Sequence, residues 1–463
     1  MTSDQRRIVT AICLITGISL VVGASLTFLV SPMLDDLGLT SEQGSLALAL
    51  PSIGSLLVVF IAGRLGDRVG HRTVILGASV AFIAGSIIVT AAQGMVMVSA
   101  GLVLVGAAAT AIQIVALGLL QASVPTGPAR VSAFTTFGMV FPAVYLVAPV
   151  ATGAIVSATS WRWVPFSWAL LGLVIPLSAL RLLGRPASRL PAGEMWTPFL
   201  GGLALACLTG GINSGHDFGW TSPRTWLAFV LALAAVVAVR LIVQSGRVPS
   251  LELAPLRRPR LLLLLATVVL VVTANTLIYV TLGLEYLYGQ DALAAAIYLV
   301  PAQLASVVGA KIVASWLMRR LGTPRAAIAL ILGFGVSLLS LLAMSASSPL
   351  AQLVFSGAVF SLFGFASITV VNAAVMAQAP DGASGAVSAY RGAASSVGGA
   401  LSVVFLGGAI SIVVSTTSLE PIGTLPDAAA LANGLQTHGL IGALLAAGAA
   451  VAFWAATRQR TLA

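Results

Sequence analysis

From Ile8 to Phe453 the chain is a succession of apolar runs, most of about twenty residues, set apart by short polar turns. An α-helix rises ~1.5 Å per residue, so a run of about 20 apolar residues matches the ~30 Å hydrocarbon core of a bilayer. A helix also satisfies its own backbone hydrogen bonds, which lipid cannot do. Only 8% of the 463 residues are charged and 59% are hydrophobic. A soluble domain needs about 25% charged residues to cover its surface. Lipid is therefore the solvent, and the chain reads as an all-α polytopic membrane protein of about fourteen helices. The runs place spans at about 8–31, 44–62, 73–92, 95–121, 131–157, 164–183, 197–214, 225–244, 261–287, 292–317, 326–345, 350–376, 384–413 and 436–456. The longest polar gap, Ser415 to Gln436, reads as an external loop.

The net charge of +10 could suggest nucleic acid, but the basic residues are scattered through interhelical turns and form no stripe or domain. Their distribution instead reports sidedness. With the N-terminus in the cytoplasm, the inner segments hold Arg6, Arg7, Arg64, Arg68, Arg72, Arg130, Arg181, Arg185, Arg189, Arg240, Arg247, Arg257, Arg258, Arg260, Arg319, Arg320, Arg325, Arg458 and Arg460. Only Arg162 and Arg224 fall outside. A bias of nineteen against two agrees with the positive-inside rule and would collapse if a helix had been miscounted. Both termini are thus expected in the cytoplasm and the protein in the cell membrane. The run Ile8–Val30 is too long for a signal peptide and has no A-x-A-like site, so it reads as a retained span. Cys13 and Cys207 sit in apolar runs far from His71, His216 and His438, which argues against a disulfide or metal site; no cofactor is implied.

The turn after the second span reads Gly63-Arg64-Leu65-Gly66-Asp67-Arg68-Val69-Gly70-His71-Arg72. This resembles the G-x-L-x-D-R-x-G-R-R/K loop of the major facilitator superfamily. Its glycines allow a tight turn close to neighbouring helices. Asp67 can accept hydrogen bonds at the positive end of a facing helix. A degenerate copy, Ser315 to Arg325, follows the tenth span; aligning Gly322 with Gly70 puts Arg319 where the first copy has Asp67. Ala148-Pro149-Val150-Ala151-Thr152-Gly153, Trp161-Arg162-Trp163 and Gly219-Trp220-Thr221-Ser222-Pro223-Arg224 are similar to motifs of the fourteen-helix drug–proton antiporter branch of that superfamily. Pro142, Pro149 and Gly153 are read as bending or closely packing the fifth span. The resemblance implies two six-helix pseudo-repeats plus two extra central helices. That division runs 1–190, 191–250 and 251–463. It also implies transport by alternating access, with Gly63, Asp67, Arg68, Gly70 and Arg72 as a gating motif.

Two features of that branch are missing. The acid of the first span is replaced by Gly23, and the Arg of the fourth span is absent from Leu102–Gly106. No Asp or Glu lies at the middle of a span; Glu285, near one end of the ninth, is the one coupling candidate. Protons are therefore expected to drive transport weakly or through Glu285 alone. No Walker loop, catalytic triad or carboxylate pair is present, so neither an ATPase nor an enzyme is expected.

Charged and polar groups inside spans are costly and mark candidate sites. Lys311 either snorkels to the surface or faces the cavity. Arg391 either braces Asp67 and helix-end carbonyls or faces the cavity. With these two, Ser25, Gln113, Tyr145, Asn275, Tyr279 and Asn372 are the candidate substrate contacts, Asn275 and Asn372 foremost because a buried amide in lipid needs a partner. Thr27, Thr110 and Gln303 share the same helices. For each, a helix-packing hydrogen bond is the alternative. The expected substrate is a small amphiphile, neutral, zwitterionic or anionic rather than cationic, exported across the bilayer. A facilitator of a small organic anion and a non-transporting scaffold or sensor are the alternatives.

Overall fold

The structure is a computed structural model that describes residues 2–39, 41–125, 127–182, 195–245, 254–274, 280, 283–290, 292–380, 383–416 and 428–458. Sixteen helices account for nearly all of them. They are α1 (Ser3–Leu37), α2 (Ser41–Leu65), α3 (His71–Thr90), α4 (Met95–Ser123), α5 (Pro128–Gly138), α6 (Val140–Ala158), α7 (Trp163–Leu182) and α8 (Trp196–Phe218). Then come α9 (Pro223–Gln244), α10 (Pro259–Ala274), α11 (Ala292–Tyr298), α12 (Val300–Val308), α13 (Ala314–Leu338), α14 (Leu350–Met376), α15 (Ser384–Thr416) and α16 (Ala428–Arg458). Asn275 and Tyr279, and most of the gap after Ser415, lie outside the described residues.

Among the described residues, nine stretches are long and apolar enough to cross a membrane. Two of them, Ala47–Thr90 and Val300–Ala343, run to 44 residues. At ~1.5 Å per residue each would reach about 66 Å, twice a bilayer core. Each is folded back at a glycine: Gly70 with φ 100° and Gly322 with φ 74°. Residues with a Cβ avoid that region, so only glycine turns the chain there without strain. These are the two glycines that the loop and its degenerate copy align.

The fifth span, expected unbroken over 131–157, is two helices that meet at Gly138–Met139. Pro142 has no N–H to give the carbonyl four residues back, which is that of Gly138, so the ladder breaks there. The tenth span is likewise divided into α11, α12 and a π-turn, Gly309–Val313, that leads into α13. Pro301 in the first turn of α12 sits where its missing N–H costs nothing.

Two apolar cores result. One gathers Ile15, Leu29, Phe82, Leu102 and Trp168 from α1, α3, α4 and α7. The other gathers Phe334, Phe360, Val371 and Phe453 from α13, α14 and α16. Helices α8 and α9 pack on each other, and α8 reaches α2 and α15. The outer face of α9 presents Trp226, Leu227, Val230, Leu233 and Leu241, a surface suited to lipid. Inside the first core α2 and α4 touch backbone to backbone: a Cβ at Gly54 would lie 2.1 Å from the Val103 carbonyl oxygen, and one at Gly106 2.2 Å from that of Pro51. Such small-residue seams replace the hydrophobic effect, which is silent between helices in lipid. Gly153 corrects the expectation that it packs closely, because nothing lies within 4 Å of a Cβ placed there.

Thermal unfolding in nanodiscs separates these two glycines. Gly106→Val should cost about 1–3 kcal/mol through overpacking. Gly153→Ala should gain about 0.5–1 kcal/mol, as expected when a helix-interior glycine is replaced without a clash.

Candidate functional site

The Gly63–Arg72 loop is docked on the first turn of α15. The Gly385 N–H donates to Asp67 Oδ1 at 2.8 Å and the Ala386 N–H to Asp67 Oδ2 at 2.9 Å. The first amides of a helix have no partner within it and carry the positive end of its dipole. A carboxylate that takes two of them at once is thus held by charge-assisted bonds. The sequence makes the approach possible. A Cβ at Gly63 would lie 2.4 Å from the Gly385 carbonyl oxygen, and one at Gly385 would lie 2.2 Å from that of Gly63. His71 stands behind the carboxylate, 4.0 Å from Asp67 Oδ1 and 3.5 Å from Ser384 Oγ. Deeper in, Ser388 donates to the Ile114 carbonyl at 2.8 Å, and the Phe60 and Tyr390 rings meet at 5.8 Å. Arg72 donates to the Leu180 carbonyl at 3.2 Å and so ties the loop to α7. Gly70 sets the turn into α3, and Arg68 makes no ion pair among the described residues.

The degenerate copy makes a looser junction. Thr323 and Pro324 line a cavity of about 510 Å³ together with Arg130, Arg260 and Gln378. Arg130 is largely spent on the end of α4, donating to the Val124 carbonyl through Nε at 2.8 Å and Nη2 at 2.6 Å.

Beside the contact of the loop with α15 lies a second cavity, of about 410 Å³, walled by α1, α2, α4, α5, α6, α10, α14 and α15. Gln113, Asn372 and Arg391 all line it, so three candidates far apart in sequence come together. The Asn372 amide oxygen and Arg391 Nε are buried with no hydrogen-bond partner. Thr110, Ser55 and Thr16 add polar groups, and Phe137, Phe141 and Phe365 form an aromatic wall. The aromatic wall, Ser55 and Thr16 are not among the sequence candidates, since an apolar ring inside an apolar run carries no signal of its own. The break at Gly138–Met139 has its sequence signal in Pro142, and it lies between Phe137 and Phe141 on the cavity wall.

The other candidates are elsewhere. Ser25 is fully buried between helices, donating to the Val21 carbonyl at 2.6 Å and accepting from Trp168 Nε1 at 3.1 Å. Tyr145 stacks on Phe141 at 4.4 Å, one layer behind the wall. Its hydroxyl lies 3.1 Å from where a Cβ at Gly23 would stand. Lys311 sits on the π-turn and donates to Thr136 Oγ1, which bridges α5 to the second core. Neither Lys311 nor Gln303 is among the groups that line the cavity. Asn275 and Tyr279 lie outside the described residues. Glu285 is on the π-turn Gly283–Leu287, and its side chain is likewise outside the description.

The profile of the Major Facilitator Superfamily matches residues 12–403. The chain belongs to the Major Facilitator Superfamily. This is a family of transporters and not of enzymes, and with its apolar helices the protein is a multi-pass membrane protein. Superfamily relatives include the tetracenomycin C resistance and export protein of Streptomyces glaucescens, 26% identical over 75% of this chain and 65% of that one. The cephamycin export protein CmcT of Amycolatopsis lactamdurans is 27% identical over 57% of this chain and 55% of its own length. An uncharacterized transporter of Mycobacterium tuberculosis is 29% identical over 44% of this chain and 29% of its own. The matched stretches thus span less than two thirds of these relatives. Among solved structures, the human organic anion transporter MFSD10 superposes with a TM-score of 0.66 at 12% identity, covering 98% of this chain and 100% of that one. A variant of the Escherichia coli fucose:proton symporter FucP gives 0.62 at 13% identity, covering 97% and 98%. At such identity the likeness is one of fold.

This superfamily member braces the end opposite the loop with its Trp161-Arg162-Trp163 stretch. Arg162 pairs with Asp36 at the end of α1 and donates to the Ala92 carbonyl, just after α3, at 2.8 Å. Trp161 Nε1 donates to Asp36 Oδ2 at 2.9 Å, and the guanidinium stacks over the Trp161 ring at 4.5 Å. The Arg162 hydrogen bond first, and the Trp161 one second, hold the Asp36 carboxyl below the ordinary carboxylate range. A lowered pKa means that the brace is fully present above about pH 4 and is lost as pH falls through the lowered value. Thermal unfolding followed from pH 7 to pH 3 should show a loss of stability at the acid end. Asp36→Asn should start less stable at pH 7 and lose less on acidification. An acid limb unchanged in Asp36→Asn would assign the loss to other groups.

Proposed function

We propose that the protein is a secondary transporter that exports hydrophobic or amphiphilic small molecules from the cytoplasm by alternating access. The observation that carries this reading is the pairing of a partly polar cavity with a tight contact at the loop end, through Asp67 and α15. In this reading about fourteen spans cross the cytoplasmic membrane with both termini inside. Residues 1–190 and 251–463 form the two six-helix halves, and 191–250 supply the extra pair. The charge bias of the turns supports the orientation, and the docking of α8 on the edge of the bundle supports the division. The two 44-residue stretches, each folded at a glycine, support a count above nine. Gly63, Asp67, Arg68, Gly70 and Arg72 are the gate: closed as described, they leave the cavity to face outward. The names of the relatives, exporters of tetracenomycin C and cephamycin, favour export as the direction.

Coupling to protons is weak in this reading. The position at which relatives carry a first-span acid is Gly23, and the Tyr145 hydroxyl already stands against it. A tyrosine hydroxyl, unlike a carboxylate, keeps its proton at neutral pH and so does not cycle one.

Proteoliposomes loaded with N-phenyl-1-naphthylamine test both parts. The protein should clear this neutral amphiphile from the membrane, and an imposed pH gradient should change the rate about twofold or less. Whatever gradient dependence exists should vanish in Glu285→Gln. No clearance under any gradient would remove the export reading; strong gradient-driven clearance that survives Glu285→Gln would remove the coupling reading.

A further inference from the structure

The central cavity is chemically one-sided. Arg391 makes no hydrogen bond or ion pair with any described residue. Among the described residues, no Asp or Glu lines the cavity with it. Asp67, whose partners on α15 lie between one and two turns before Arg391, is engaged by the Gly385 and Ala386 amides. An unpaired cation out of water is strongly disfavoured, so the site is short of one negative charge. Asn372 and Gln113 flank it with amides that can orient a ligand oxygen, and the Asn372 oxygen is itself unpartnered. Phe141 and Phe365 on the wall lie 5.9 Å apart and tilted by 33°, with Tyr145 stacked behind Phe141. Such faces favour a flat ring over a flexible chain. A volume of about 410 Å³ falls within the usual range for a drug-sized ligand, roughly 300–1,000 Å³.

We propose that this cavity is a binding site for aromatic monoanions, such as a polycyclic carboxylate or phenolate. Arg391 holds the anionic group, Asn372 and Gln113 orient it, and Phe141 and Phe365 take the ring. A guanidinium meets a carboxylate in a two-point fork, which Lys cannot reproduce. Lys311 has no part in it, being bound to Thr136. The proposal names the substrate class of the transport reading and rests on that reading only for the claim that bound ligand is then moved.

Equilibrium binding to the protein in nanodiscs, with 1-pyrenebutyrate and 1-pyrenebutyltrimethylammonium as probes, tests it without any need for transport. Both carry the same ring and differ in charge. The wild type should bind the anion at least about tenfold more tightly than the cation, the size expected for one charge-assisted hydrogen bond. Arg391→Gln should bring the ratio near one. Arg391→Lys, which keeps the charge and so guards against a variant that does not fold, should keep a reduced preference for the anion. Phe365→Ala should weaken both probes alike. Equal or tighter binding of the cation by wild type, or an unchanged ratio in Arg391→Gln, would overturn the assignment. Clearance of a neutral amphiphile by a protein that shows no anion preference would overturn it while leaving export intact. Anion binding without transport would do the reverse.

Discussion

Lipid offers no water to a backbone, and between two apolar helices it offers no hydrophobic drive either. What joins the two halves must therefore be close packing plus a small number of polar bonds. At one end the structure uses both in the same place. Gly63 and Gly385 let α2 and α15 approach to backbone contact, and only because they do can Asp67 reach the first amides of α15. The bonds are strong because the carboxylate is largely shielded from water, and they are breakable because they are few. The Ser388 bond to Ile114 and the Phe60–Tyr390 contact continue the same seam towards the cavity. The equivalent seam of the second loop copy is different. With Arg319 in the place of an acid, the second copy has no carboxylate to offer the amides of a facing helix, and a cavity lined by Arg130 and Arg260 stands at that junction. One firm contact and one loose one suit the proposed gate.

Much of this was legible in the sequence, for identifiable reasons. Span lengths follow from bilayer thickness, so apolar runs locate helices well. Gly70 and Gly322 were aligned by pattern, and both take the same left-handed turn because no other residue can. Helix-end electrostatics puts Asp67 at the positive end of a facing helix, and its bonds are to Gly385 and Ala386 at the start of α15. The facing of each helix was less legible. Nearly every side of these helices is apolar, so periodicity does not say which side meets a partner, and the polar residues had to stand in for it. Gln113, Asn372 and Arg391 converge on the cavity, whereas Ser25 serves Trp168 and Lys311 serves Thr136. All five are polar groups in apolar runs, and nothing local separates the two sets. The broken fifth span needed tertiary knowledge: Pro142 weakens the ladder, but it is the contact of Gly138 with Thr369 that fits the break to its neighbour.

Gly23 connects sequence to mechanism most directly. Where the drug–proton antiporter branch that the sequence resembles has an acid, this chain leaves room for a tyrosine hydroxyl, and the charge on the described cavity lining is positive. Removing a buried acid and keeping a buried base changes which ligands the same fold can hold without an unpaired charge. A cavity that holds Arg391 and, among the described residues, no carboxylate is matched to an anion.

The central claim is that Asp67, through the amides of α15, keeps the halves closed at the loop end. The most direct measurement is the distance between spin labels at Arg181 and Arg320, both exposed and near that end on opposite halves, in a background where Cys13 and Cys207 are serine. Wild type should give one dominant short distance. Asp67→Asn keeps the shape but sets an amide against the amides of α15, and the loss of charge-assisted bonds worth about 1.5–3 kcal/mol should populate a second, longer distance. A distribution that is identical in wild type and Asp67→Asn would contradict the account.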